Sequence, residues 1–162
     1  MNRRTLLKVG VVAPVVLAAG GALLYLGADA ARDRTMVVRA LVPALLDGAL
    51  PAGGAPRTAR IDTTVDAVAA AIAGLPLATQ TELGQAFAVL ATRVGRIAAG
   101  GPFADWSEAD TGAVGRMLQG WRTHPLDAVQ ALYQAMHDLV LTSYYADEAR
   151  WPEIGYPGPL AL

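Results

Sequence analysis

The chain has 162 residues, which is enough for one domain with a single buried core in addition to a short leader. It carries 13 basic and 14 acidic side chains. This balance disfavours nucleic acid as a partner, because a phosphate-binding surface needs clustered positive charge. Cysteine is absent, which excludes disulfides, thiolate metal ligands and thiol nucleophiles from this chain.

The first 30 residues predict an export signal. An uncharged apolar segment, 9–28, directly follows two arginines, a spacer, two leucines and a lysine. That order of parts resembles the twin-arginine signal, an address read by the twin-arginine translocase. The alternative is a simple membrane anchor with positively charged flanks. The signal residues are Arg3, Arg4, Leu6, Leu7 and Lys8.

Two fates of the leader are open. Ala28 and Ala30 form a small-x-small pattern that predicts cleavage before Ala31. The apolar segment is also just long enough to cross a bilayer, so it could be retained as an anchor. We therefore divide the chain into a leader, a helical domain and an extended tail, with the bounds 1–30, 31–145 and 146–162.

The apolar residues of the middle of the chain recur at helical spacing. They predict an all-α fold of about five helices in a bundle-like packing. Residues 51–57, rich in glycine and proline, are predicted to form a loop between the first two helices. The predicted helices begin near Thr35, Asp62, Thr81, Ser107 and Pro125.

The third helix shows the clearest amphipathic pattern and is predicted to continue to about Ile97 without a break. Val94 and Ile97 fall on its inner face, whereas Arg93 and Arg96 fall on its outer face. The fifth helix is predicted to carry Leu126 on its inner face.

The last stretch of the chain, 143–160, is rich in proline, glycine and aromatic residues. Aromatic side chains on a proline-stiffened tail have few neighbours in their own chain, and partner surfaces commonly use such anchors. The alternative is that the tail folds back over the bundle. The predicted partner-docking residues are Tyr144, Tyr145, Trp151, Ile154, Tyr156, Pro157 and Pro159.

Side chains for catalysis are scarce in the sequence. His124 stands beside a proline at a helix start, and His137 lies in the middle of a helix beside Asp138. Neither histidine has the surrounding ligands that a metal site needs. We therefore predict no catalytic, cofactor-binding or metal-binding residues in this chain.

A signal associated with folded, cofactor-loaded cargo on a chain without a cofactor site suggests a bound partner that lacks its own signal. The run Trp151-x-x-Ile154-Gly155-Tyr156-Pro157-Gly158-Pro159, behind a helical body and a twin-arginine leader, resembles the gluconate 2-dehydrogenase subunit 3 family. One departure is the segment 145–150, where a commoner family pattern has a glycine-glycine-asparagine run.

The resemblance implies a non-catalytic small subunit that supplies the export signal and assists maturation of a large partner. That partner is a glucose-methanol-choline-type dehydrogenase subunit holding FAD, often accompanied by a cytochrome c subunit. The complex would work in the periplasm or at the outer face of the cytoplasmic membrane. The alternative function is a stand-alone, membrane-anchored helical protein that binds a lipid or a membrane protein.

Overall fold

The computed structural model describes residues 29–158, and within this range all regular secondary structure is helical. The predicted all-α fold is therefore confirmed. Two short 3-10 helices, Trp106–Glu108 and Glu148–Ile154, accompany the α-helices. The α-helices are α1 (Ala30–Leu45), α2 (Gly54–Ala73), α3 (Leu77–Ala91), α4 (Arg93–Ala98), α5 (Thr111–Arg122) and α6 (Asp127–Tyr145).

Part of the predicted leader and tail lies outside the described residues. The outlying positions are Arg3, Arg4, Leu6, Leu7, Lys8, Ala28 and Pro159. Ala30, at the predicted cleavage pattern, is the first residue of α1. The side chain of Asp29 caps this helix by accepting a hydrogen bond of 3.0 Å from the backbone N–H of Arg32.

Helix α1 lies at the centre of the fold and contacts α2, α3, α5 and α6. It can contact so many helices because its apolar residues are spaced to cover a wide face. Pro43 is tolerated in the last turn of the helix, which continues to Leu45. The fully buried side chains of α1 are Val37, Val38, Leu41 and Val42.

Helix α2 begins at Gly54, eight residues before the predicted start at Asp62, so the predicted loop is shorter than expected. Pro56 lies in the first turn of the helix, where its missing N–H would have no partner within the helix. The glycine and proline residues of this stretch therefore mark the start of a helix, although the same composition predicts a loop.

The predicted unbroken third helix is wrong, because α3 ends at Ala91 and a separate helix, α4, begins at Arg93. Thr92 adopts an extended backbone between them. Its hydroxyl accepts a hydrogen bond from the N–H of Gly95 (3.0 Å) and donates one to the carbonyl of Val89 (2.8 Å). A single extended residue, Thr92, thus ends α3, caps α4 and changes the direction of the chain.

This change of direction alters the predicted faces of α4, although Arg93 is exposed as predicted. Val94, predicted inward, is 67% exposed, and Arg96, predicted outward, is only 2% exposed. The helical period cannot be extended through the break at Thr92, because the two helices do not share an axis. The prediction for these two residues is therefore wrong.

The remaining helix starts also differ from the prediction, since α1 begins at Ala30 and not near Thr35, and α3 begins at Leu77 and not near Thr81. Helix α5 is capped by Asp110, whose carboxylate accepts from the N–H of Ala113 at 2.9 Å, whereas Ser107 lies in the preceding 3-10 helix. Helix α6 begins at Asp127 and not at Pro125. Leu126 therefore precedes the helix and is exposed, contrary to its predicted inner position.

Candidate docking surface at the C-terminal segment

The C-terminal segment folds back onto the helical body. Asp147 caps the second 3-10 helix by accepting from the N–H of Ala149 at 3.0 Å. Gly155 ends it with a positive φ of 70°, a conformation that favours glycine. The predicted extended conformation is therefore wrong for residues 148–154, where the alternative of a tail folded over the bundle holds.

Tyr144 is part of the core. Its ring is 1% exposed, and its hydroxyl donates to the carbonyl of Ala49 at 2.8 Å. Arg60 in α2 donates to the same hydroxyl oxygen at 3.2 Å. The hydroxyl is thus satisfied inside the protein, as a buried phenol requires. In this structure the ring of Tyr144 is not available to a partner.

Arg60 connects the body to the C-terminal segment. Its Nη1 atom donates to both carboxylate oxygens of Glu153, each at 3.0 Å. This hydrogen bond, and secondarily the one to Tyr144, raises the pKa of Arg60 above its ordinary value. Because both side chains are partly exposed, the pair contributes at most about 1 kcal/mol to stability. Its main effect is to fix the position of the segment.

Arg150 is buried at the junction between α6 and the C-terminal segment. It is 5% exposed, and its guanidinium carbon lies 4.2 Å from the ring centroid of Tyr144, in a cation–π arrangement. Its Nε atom lies 3.4 Å from the Oδ2 atom of Asp147, which is an ion-pair distance without hydrogen-bond geometry. The charge of Arg150 is therefore balanced by the cap residue of the same 3-10 helix.

Trp151 holds the end of the segment in place. Its indole N–H donates to the carbonyl of Tyr145 at 3.0 Å, and its ring meets Tyr156 edge to face at 5.1 Å between centroids. Gly158 packs against the same indole. Trp151 and Tyr145 are half-buried as a result.

The segment presents the remaining predicted docking residues to solvent. Ile154 is 54% exposed, Tyr156 is 45% exposed, and Pro157 is exposed beside them. Six of the seven predicted positions lie within residues 29–158, and they divide into one buried ring, two half-buried rings and three exposed side chains. The seventh, Pro159, lies outside the described range.

A groove of about 590 Å³ separates this segment from the loop between α1 and α2. Leu50, Pro51 and Ile154 give it an apolar lining, and Tyr145 adds an aromatic ring. Asp47, Arg60 and Glu153 supply its charged groups. The sequence analysis missed Asp47 and Arg60, because they lie about 90 residues before the segment and carry no local motif.

A second groove, of about 450 Å³, lies between α4 and α5. Small residues line most of it, with Arg116 and His124 as its polar side chains. His124 lies in the turn before α6 and accepts a hydrogen bond from the N–H of Leu126 at 3.1 Å. This groove brings together no further side chains of the predicted docking set.

The described residues contain no group of three or more histidine or acidic side chains placed to hold a metal ion. His137 lies 3.2 Å from the carboxylate of the adjacent Asp138 and contacts the ring of Tyr133.

No helix within residues 29–158 has the length and apolar character needed to span a membrane.

Comparison with known families, characterised proteins and solved structures finds no match for this chain.

Proposed function

We propose that the chain is a non-catalytic accessory subunit of an exported, FAD-dependent sugar or alcohol dehydrogenase. In this role Arg3 and Arg4 address the complex to the twin-arginine translocase. The helical body and its C-terminal segment bind the large flavoprotein subunit and assist its maturation. The flavin belongs to that subunit, and a cytochrome c subunit can complete the path of the electrons.

The C-terminal segment is the observation that carries this proposal. Ile154 and Tyr156 are exposed on a segment whose backbone is fixed by Arg60, Trp151 and Gly155. Large apolar side chains on a rigid support are typical of protein-binding surfaces, because little conformational entropy is lost on association. The same segment carries the sequence run that resembles the small dehydrogenase subunits.

Purification of the full-length chain from its exported fraction tests the proposal. We expect a flavin-containing large subunit to co-purify, with a dinucleotide-binding glycine motif in its sequence and no export signal of its own. Two results would contradict the proposal. One is an exported chain that is monodisperse and free of any flavoprotein, and the other is turnover of a substrate by the isolated chain.

A further inference from the structure

The groove beside the C-terminal segment combines an apolar lining with the exposed carboxylate of Asp47. Of its charged groups, Arg60 and Glu153 are bonded to each other. Asp47 forms no ion pair within residues 29–158 and is exposed. The groove thus offers an exposed negative charge next to a hydrophobic surface.

The apolar lining of the groove fits the aliphatic part of a long side chain. Leu50, Pro51 and Ile154 give it apolar walls, and the ring of Tyr145 lies beside them. An arginine has a flexible apolar stem and a planar cationic end that stacks on aromatic rings and binds carboxylates. A lysine shares the stem, but its ammonium group lacks the planar shape for stacking.

We propose, on the basis of the accessory function above, that this groove receives an arginine side chain of the flavoprotein subunit. The stem packs on Leu50, Pro51 and Ile154, and the guanidinium pairs with the carboxylate of Asp47 beside the ring of Tyr145. Arginine is enriched at protein interfaces and is among the residues that contribute most to the binding energy. Its side chain combines an apolar stem with a cationic end, and this groove fits both parts.

The Arg60–Glu153 pair gives the groove its shape before the partner arrives. It fixes the wall formed by the C-terminal segment relative to α2, and Tyr144 fixes the opposite wall by its hydrogen bond to Ala49. A preformed groove lowers the entropy lost on binding. Arg60 and Glu153 are therefore positioning residues, whereas Asp47 and Ile154 contact the partner.

A competition experiment tests this assignment with the full-length chain. A tagged variant and an untagged wild-type chain are produced together with a limiting amount of the flavoprotein subunit, and the flavin bound per tagged chain is measured at low and high salt. We expect Asp47→Asn to weaken binding by up to about fivefold at low salt. We also expect it to reduce the salt dependence of binding, because one exposed ion pair is lost.

Matched variants separate the groove from the rest of the surface. Asp66→Asn removes an exposed acid of α2 outside the groove, and Leu126→Asp places a charge on an exposed apolar residue at another site. We expect both to bind as the wild type does and Ile154→Asp to lose binding at least tenfold. Circular dichroism and thermal unfolding establish that each variant is folded.

Equal competition by Asp47→Asn and Asp66→Asn, with the same salt dependence, would overturn the assignment to an arginine while leaving the accessory function intact. If the groove variants lose self-association and keep flavoprotein binding, the groove instead receives a second copy of this chain. If no flavoprotein binds the wild type at all, the accessory function fails, and the proposed occupant fails with it.

Discussion

Arg96 is a buried cation whose hydrogen-bond partners lie in the loop after α4. Its Nη2 atom donates to Asp105 at 2.9 Å, and its Nε atom donates to the carbonyl of Pro102 at 3.0 Å. The ring of Trp106 lies 5.8 Å from its guanidinium carbon. These contacts compensate for part of the hydration that a charged group loses on burial. Arg96 thereby connects α4 to the loop that leads into α5.

Truncation of this side chain tests its structural role. We expect Arg96→Ala to lower the free energy of unfolding by about 3 kcal/mol, because the loop loses two hydrogen bonds and the core gains a cavity. Arg93→Ala, at an exposed position of the same helix, should change the stability by less than about 0.5 kcal/mol. Denaturant unfolding of both variants measures the difference. Equal effects would contradict the burial of Arg96.

Gly95 is the residue that permits the close approach of α4 to α3. A Cβ atom at this position would collide with the carbonyl of Val89, whose backbone cannot withdraw without loss of the Thr92 contacts. Gly120 in α5 is the opposite case, because it is exposed and has open space around it. The same substitution at the two positions therefore has opposite consequences.

We expect Gly95→Ala to destabilise the protein by about 2 kcal/mol through overpacking. Gly120→Ala should stabilise it by about 0.5–1 kcal/mol, because alanine favours the helix over the unfolded chain. Thermal or denaturant unfolding gives both values. A neutral Gly95→Ala variant would show that α3 and α4 do not meet as described.

At the level of secondary-structure elements, the C-terminal segment is a short 3-10 helix attached to the body at a few points. Backbone N–H groups of Arg150, Gly155 and Tyr156 donate to carbonyls of the same segment. The Arg60–Glu153 pair is its ionic link to α2. Such a small element opens locally more easily than the core helices, and hydrogen exchange of its amides reports this opening.

We expect Glu153→Ala to accelerate exchange of the Tyr156 amide by up to about fivefold, since an exposed pair contributes at most about 1 kcal/mol. Amides of α1 should keep their wild-type rates. The control is Glu148→Ala, which removes an exposed acid of the same segment that forms no ion pair within the described residues. Identical exchange in the two variants would show that Glu153 does not hold the segment.

The accuracy of the sequence-based predictions differs between elements for physical reasons. The apolar stripe of α1 is readable because it depends only on the helical period. The break at Thr92 is not readable, because it depends on contacts of Gly95 and Arg96 with residues that the period does not specify. The folded C-terminal segment depends on Arg60, which lies 93 residues before Glu153. The sequence places Ile154 and Tyr156 in one docking set with the buried Tyr144, and only the tertiary structure separates them and shows the groove beside Ile154.

At the scale of the whole molecule, a helical body lies between the predicted leader and the C-terminal segment. α1 begins at Ala30, the last residue of the predicted leader, and α6 ends where the C-terminal segment turns back toward α2. In the proposed function, the leader addresses the translocase and the C-terminal segment binds the cargo. A folded body between them fits a route that exports proteins already folded around their cofactors.

Replacement of the arginine pair in the leader tests this account most directly. In a strain whose only copy of this chain carries Arg3→Lys and Arg4→Lys, the flavoprotein dehydrogenase activity is measured in the exported and cytoplasmic fractions. We expect the activity and this chain to remain together in the cytoplasm, because in the proposed function the flavoprotein depends on the signal of this chain. Wild-type levels of exported dehydrogenase activity in that strain would contradict the account.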